Sequence, residues 1–154
     1  MRFQNFIIST LVCYFLLFQF IPGKVHSREF EYAHAKVITE SGTSINVEVS
    51  DTPEKRSLGL GKRDKLLKGW GMLFVFQERI PHNFWMKDMQ FPIDIIWIDN
   101  QRIVDLAENV PPPENGSSPK VLKPSRPSNF VLEIEAGGAK ALGLKLGQKL
   151  RYHF

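Results

Sequence analysis

Cysteine is almost absent from this sequence. The single cysteine among 154 residues is Cys13, which lies in an apolar run near the N-terminus. The rest of the chain can therefore form no disulfide and offers no thiolate for catalysis. Histidine is also scarce, and His34, His82 and His153 lack the close spacing of zinc ligands. We predict no metal site and no cofactor.

Several signatures of catalysis and of nucleic-acid binding are missing as well. The sequence has no glycine-rich phosphate loop, no dinucleotide-binding fingerprint, no serine in a nucleophile elbow and no internal repeat. The formal net charge is +4, and two of the basic residues, Arg2 and Lys24, fall in the N-terminal segment. The small remaining excess predicts no nucleic-acid partner. The basic connector 62–68 is interpreted as a solvated face, with a patch for an anionic surface as the alternative.

The N-terminal segment has the features of a signal peptide. A basic residue precedes an apolar run at 6–18, and a proline and a glycine follow that run. We therefore predict a cleaved signal at 1–27 and one exported domain at 28–154, periplasmic or secreted, without stable membrane insertion after cleavage. Residues 6–21 approach the lower length limit of a membrane span, so an uncleaved anchor is the alternative.

Residues 69–99 contain all three tryptophans and every methionine except the first. Within this stretch, 72–76 and 93–99 are apolar runs of strand length, and 82–89 alternates as a strand does. Two short helices are predicted, one beginning at the Thr52-Pro53 start signal and one at 136–142. With about eight strands and no βαβ alternation, the prediction is an all-β domain, a compact antiparallel barrel or sandwich.

Four segments together resemble the DUF192 family of uncharacterised bacterial and archaeal proteins. The segments are TPEKRSLGL, GMLFVF, FWMKDMQFPIDIIWID and VLEIEAGGAKALGLKLGQKL. The resemblance runs from about Val47 to the C-terminus, and FWMK with PIDIIWID is its most specific part. It implies a compact, mainly β domain with short helices, and it implies no activity. The chain departs from the family at Gly61, where a methionine is usual, so no methionine-dependent site is expected there.

The candidate ligand site is centred on Trp85. If residues 82–89 form a strand, alternation places Asn83, Trp85 and Lys87 on one face. Aromatic rings in binding clefts stack on sugars and other flat molecules, so a small molecule or a glycan is the predicted ligand. The competing interpretation makes all three tryptophans core residues. The proline-rich segment 110–129 is predicted to cover the site.

The same site is predicted to include Asp94. If 82–89 and 93–99 pair as a hairpin, Lys87 and Asp94 lie directly opposite each other on one side of the sheet. The two residues would form either a structural ion pair or a charged pair at the floor of a pocket. The predicted ligand-binding residues are Asn83, Trp85, Lys87 and Asp94.

Three functions remain open at this point. The leading hypothesis is a non-enzymatic exported binding or accessory module. One alternative is a small, hydrolase-like envelope enzyme that uses Asp94 and Lys87. The other is a purely structural envelope protein, and nothing in the sequence determines the oligomeric state.

Two further features receive structural interpretations. Glu133 alternates with apolar neighbours along its strand, so it is expected to face solvent. One interpretation is a copper site that uses Met72, Met86, Met89 and His82, because soft thioethers suit Cu(I). The other is that these methionines are ordinary core residues, as methionines at strand spacing usually are. The core interpretation is favoured.

Export can be tested directly. N-terminal sequencing of the protein purified from its native host should begin at Arg28, within two residues, because the features of a signal peptide end there. An intact Met1 in the membrane fraction would contradict cleavage and support the anchor.

Overall fold

The computed structural model describes residues 30–114 and 117–154. The predicted signal segment and its cleavage site lie outside these residues. In the described part of the chain, no helix is both long enough and apolar enough to cross a membrane.

Nine strands and two short helices make up the described chain. In order they are β1 (Ala33–Ile38), β2 (Ser44–Ser50), α1 (Pro53–Leu58), β3 (Trp70–Ile80), β4 (Phe84–Trp85), β5 (Ile93–Asp99), β6 (Arg102–Val110), β7 (Val121–Leu122), β8 (Ser128–Glu135), α2 (Gly138–Ala141) and β9 (Arg151–His153). Seven strands form one curled half-barrel sheet in the order β6-β5-β8-β3-β2-β1-β9. The predicted mainly β fold with two short helices is confirmed.

One strand pair departs from the predicted antiparallel arrangement. β2 and β3 run parallel, whereas the other pairs in the described sheets are antiparallel. Parallel neighbours need a long crossover connection, and α1 with the connector behind it supplies this one. The crossover places α1 over one face of the sheet.

Local sequence signals explain where α1 begins and ends. The Thr52 hydroxyl accepts a hydrogen bond from the Lys55 N–H at 3.3 Å, and Pro53 occupies the first turn. Gly59 then adopts a positive φ of 54°, which glycine tolerates best, and the helix ends at Leu58. The turn directs the Leu60 side chain into the core, where it is fully buried.

Two apolar clusters cover the two faces of the large sheet. The face that packs on Ala139 of α2 is called the α2 face, and it buries Leu73, Ile96 and Leu132. The face that packs on Leu60 is called the α1 face, and it buries the following residues: Met72, Phe74, Phe84, Met86, Met89, Ile93, Ile95, Trp97, Val110 and Val131. The central strands are therefore buried on both sides, as their nearly continuous apolar sequences require.

Residues 82–89 do not form the predicted strand, and their predicted hairpin with 93–99 is wrong. Only β4 is extended, and Trp85 pairs with Val121 of β7 in a separate two-stranded ribbon. The chain then turns, with Asp88 in a left-handed conformation at φ 58°. β5 lies instead between β6 and β8, because a strand that is apolar on both faces is most stable with neighbours on both edges.

The proline-rich segment 110–129 is anchored to the sheet rather than structureless in its described part. It contributes β7, and Leu122 packs against the α1-face cluster. The backbone N–H and hydroxyl of Ser125 donate to Asp105 Oδ2 at 2.6 and 2.9 Å. These contacts fix the ribbon, and with it Trp85, at the edge of the α1 face.

Candidate ligand pocket

A pocket of about 250 Å³ lies on the α1 face, between α1 and the segment that contains β4. Its walls are mainly aromatic and aliphatic, and its half-buried or exposed polar side chains are those of Arg56, Ser57, Asn83 and Lys87. Glu133 of β8 also lines it and is almost fully buried. The apolar lining is contributed by Pro53, Leu58, Leu60, Phe74, Phe76, Phe84, Trp85 and Met89.

Aromatic contacts hold the wall in place. The Phe84 ring meets the Phe74 ring edge-to-face, with 4.9 Å between centroids. The Phe76 ring stacks on His82 at 3.6 Å, and the Arg56 guanidinium lies 5.1 Å from the same ring. Arg56 is fixed further by hydrogen bonds from Nη1 to the Asp51 and Val75 carbonyls. The wall is therefore largely preformed.

Glu133 is the residue that the sequence interpretation missed. Its side chain is 4% exposed, and its Oε2 has no hydrogen-bond partner among the described residues. Burial raises the pKa of Glu133 from 4.5 to about 8, although the nearby Arg63 guanidinium opposes this shift. At neutral pH the carboxyl group is therefore mostly protonated.

The expectation that Glu133 faces solvent is wrong because both faces of the sheet are covered. Strand alternation correctly places Glu133 opposite Leu132 and Ile134, on the α1 face beside Met72 and Ile95. Alternation assigns each side chain to one of the two faces of a strand, but it does not show whether that face is exposed to water. The apolar sequences of β3 and β5 were a signal of central, doubly covered strands, and Glu133 lies between those two strands.

Three of the four predicted ligand-binding residues meet at this pocket. Asn83, Trp85 and Lys87 all line it. The Trp85 indole is 48% exposed, and the Lys87 ammonium lies 5.6 Å from its ring centroid. None of the lining residues comes from segment 110–129, so the described part of that segment supports the wall through β7 rather than covering the site. A binding role for the three residues stays a prediction.

Asp94 lies on the other face of the sheet, away from the pocket. It pairs with Ile134, whereas its neighbour Ile95 pairs with Glu133. The predicted opposition of Lys87 and Asp94 is therefore wrong, since the hairpin on which it depends does not form.

The Asp94 carboxylate is satisfied by backbone groups instead of a lysine. It is fully buried, and its Oδ1 accepts hydrogen bonds from the N–H groups of Asn109 at 2.7 Å and Gly137 at 3.2 Å. Oδ2 accepts from the Ala139 N–H at 2.8 Å. Asn109 and Gly137 both have left-handed backbones, with φ 50° and 81°. Asp94 therefore joins β5 to the end of β6 and to the start of α2.

Gly61 allows the connector behind α1 to approach the turn after β4. A β-carbon at this position would lie 2.9 Å from the Leu58 carbonyl oxygen and 3.2 Å from that of Lys87. Next to it, the Lys62 N–H donates to the Asp88 carbonyl at 2.8 Å. A side chain at residue 61 would force these backbones apart, so the glycine in place of the usual methionine is a packing requirement of this chain.

Within the basic connector, Arg63 is the residue whose charge opposes the raised pKa of Glu133. Its guanidinium forms an ion pair with Glu48 at 2.6 Å and lies 5.5 Å from the Tyr32 ring. Lys62, Lys65 and Lys68 of the connector are exposed, as expected for a solvated face.

Met72, Met86 and Met89 are core residues on the α1 face. Met72 and Met86 are fully buried and Met89 nearly so. Among residues 30–114 and 117–154, no group of three or more histidine, cysteine, aspartate or glutamate side chains could hold a metal ion.

These features define a mainly β domain with an apolar pocket above the buried acid Glu133. A sequence model of the DUF192 family, described as "Uncharacterized ACR", matches residues 36–152, and the chain belongs to this family. No curated protein matches the chain.

Two solved structures are similar to it. A candidate transcription regulator from Sinorhizobium meliloti 1021 is 32% identical, with a TM-score of 0.70, over 80% of this chain and 97% of its own. A protein of unknown function from Novosphingobium aromaticivorans is 28% identical, with a TM-score of 0.68, over 82% of this chain and 89% of its own. Neither similarity establishes an activity.

Replacing Asp94 should destabilise the fold without involving Lys87. Asp94→Asn places an amide NH₂ against at least one of the three backbone donors, so we expect a loss of about 2–4 kcal/mol in the free energy of unfolding. Lys87→Met, the control, should change it by less than about 1 kcal/mol. Urea denaturation of the single and double variants measures the coupling energy. A coupling above about 1 kcal/mol would contradict the structural separation of the two residues.

Glu133 should make stability depend on pH. The unfolded chain releases this proton near pH 4.5 and the folded chain holds it to about pH 8. The free energy of unfolding should therefore fall by about 1.4 kcal/mol per pH unit between these values. Glu133→Gln has no proton to lose, so it should gain stability relative to wild type across this window.

Urea denaturation at pH 5 and pH 8 tests this expectation. The matched control is Glu135→Gln, an exposed position on the same strand. A difference between Glu133→Gln and wild type that is equal at the two pH values would refute the raised pKa.

Proposed function

We propose that the protein is an exported binding module that holds a small molecule in the pocket between α1 and β4. The observation behind this proposal is the Glu133 carboxyl group, buried under an aromatic pocket with one oxygen unpartnered among the described residues. Buried polar groups in folded proteins nearly always have a partner, and a ligand in this pocket would supply one. Pockets that combine apolar walls with few polar groups are typical of small-molecule sites.

Binding is favoured over catalysis by the composition of the pocket. Among the described residues that line it, Glu133 is the only carboxyl group, and none is a histidine or a cysteine. Glycoside hydrolysis usually needs two carboxyl groups, and an activated nucleophile needs an adjacent base. The hydrolase hypothesis depended on Asp94, whose carboxylate lies on the opposite face and is occupied by three backbone donors.

A purely structural role does not account for Glu133. An unpaired buried acid costs stability, because at neutral pH it must take up a proton when the chain folds, and a glutamine or an apolar residue of similar size would avoid that cost. Proteins keep such costly groups mainly where function requires them. The export part of the proposal is supported by the charge, apolar run and helix-breaking residues of segment 1–27.

A blocked pocket should abolish binding. Asn83→Trp introduces a bulky ring into the lining, whereas Lys145→Trp places the same ring at an exposed position beyond α2. The probes are sets of amino acids, monosaccharides and small carboxylic acids, and binding is followed by amide chemical shifts of the pocket residues.

At least one probe should shift these resonances in wild type and in Lys145→Trp, but not in Asn83→Trp. The proposal fails if no probe shifts them, or if Asn83→Trp leaves every shift unchanged.

A further inference from the structure

We infer that the pocket takes a small organic carboxylate with an apolar body, and that the ligand carboxylate accepts a hydrogen bond from the carboxyl group of Glu133. This inference rests on the proposed binding function and specifies its ligand class. The pocket volume, about 250 Å³, is below the range of roughly 300–1,000 Å³ that is typical of drug-sized ligands, so the ligand is a small metabolite.

The charges around the pocket favour an anion. Arg56 of α1 and Lys87, which follows β4, are the two permanent charges in the lining. Arg63 adds a third positive charge near Glu133, and that charge is partly balanced by Glu48 of β2. On the two flanking strands, β3 and β5, the residues beside Glu133 are Met72 and Ile95, which are uncharged. The field at the floor is therefore positive when Glu133 is protonated.

The aromatic walls are poorly suited to a ligand ammonium group. Aromatic cages bind such cations through the faces of their rings. In this pocket the Phe76 ring already has the Arg56 guanidinium 5.1 Å away and His82 stacked at 3.6 Å. Lys87 likewise lies over Trp85. Side chains of the protein, Arg56, His82 and Lys87, thus occupy these ring faces. The rings of Phe74 and Phe84 and the leucines remain as apolar contacts for the ligand body.

Glu133 acts as the hydrogen-bond donor. Burial raises the pKa of Glu133 to about 8, so near neutral pH its carboxyl group has a proton to donate. A ligand carboxylate is ionised at the same pH. It accepts a short, charge-assisted hydrogen bond from the Glu133 hydroxyl, and the proton stays on Glu133. No proton has to leave on binding, whereas an ammonium ligand would require Glu133 to ionise first.

The test compares ligands of one shape and different charge. The probes are 3-phenylpropionate, its amide 3-phenylpropionamide, and 3-phenylpropylamine, supplemented by benzoate, hexanoate and 4-methylpentanoate. Titration calorimetry of the mature protein between pH 6 and pH 9 should detect at least one of the carboxylates. Its affinity should fall about tenfold per pH unit above pH 8, as Glu133 loses its proton. The amine should not bind.

Two variants separate the hydrogen bond from a merely structural role. Glu133→Gln still donates from its amide, so carboxylate affinity should stay within a few-fold of wild type while the pH dependence disappears. Lys87→Met should weaken the carboxylate several-fold and leave the amide unchanged, and the exposed Lys145→Met is its control. If Glu133→Gln does not fold, Lys87→Met still tests the charge preference.

The outcomes distinguish this inference from the proposed function. Binding of the amine with an affinity that rises with pH would overturn the inference and leave the binding function intact. Failure of all four carboxylates at millimolar concentration, while another probe class binds, would do the same. Carboxylate binding that is insensitive to Asn83→Trp would overturn both, because the ligand would then lie elsewhere.

Discussion

The buried Asp94 carboxylate is the interaction on which the arrangement of the sheet depends. Its two oxygens accept three backbone N–H groups, from the end of β6, the turn before α2 and α2 itself. A carboxylate in an apolar interior is tolerated when its lone pairs are used in this way. Asp94 thereby holds α2 against the large sheet. With one face covered by α2 and the other by Leu60, Met86, Met89 and the β4–β7 ribbon, the central strands are buried on both sides.

The same doubly covered sheet gives two acids opposite properties. Asp94 is surrounded by donors and needs no ligand, whereas Glu133 lies on the α1 face without a partner for Oε2 among the described residues. A pocket above an unsatisfied acid is the kind of local inconsistency that folded proteins keep at functional sites. The pair shows why burial alone does not identify a site, since both carboxyl groups are buried and only Glu133 borders an open cavity.

Much of the fold follows from local sequence signals, but the pairing of strands does not. The Thr52-Pro53 start signal and the apolar run at Ile93–Asp99 give the first helix and β5 directly. Asn83, Trp85 and Lys87 do line one pocket, but Phe84 lines it as well, so the alternation of an extended strand is not what brings them together. The partner of each strand, however, results from competition among all available edges, and this competition decided that β4 joins β7. Which face of a strand is covered depends on distant helices, so Glu133 and Asp94 were both assigned to the wrong surroundings.

The pairing of β1 with β9 has a consequence for the order of folding. It joins residues 36–38 to residues 151–153, almost the full span of the domain. A contact of such long sequence separation forms late, because closing the intervening loop costs entropy that few local contacts offset. During synthesis this edge of the half-barrel stays unpaired until residues 151–153 have left the ribosome. The chain therefore stays incompletely folded for longer than a chain whose strands pair with near neighbours in sequence.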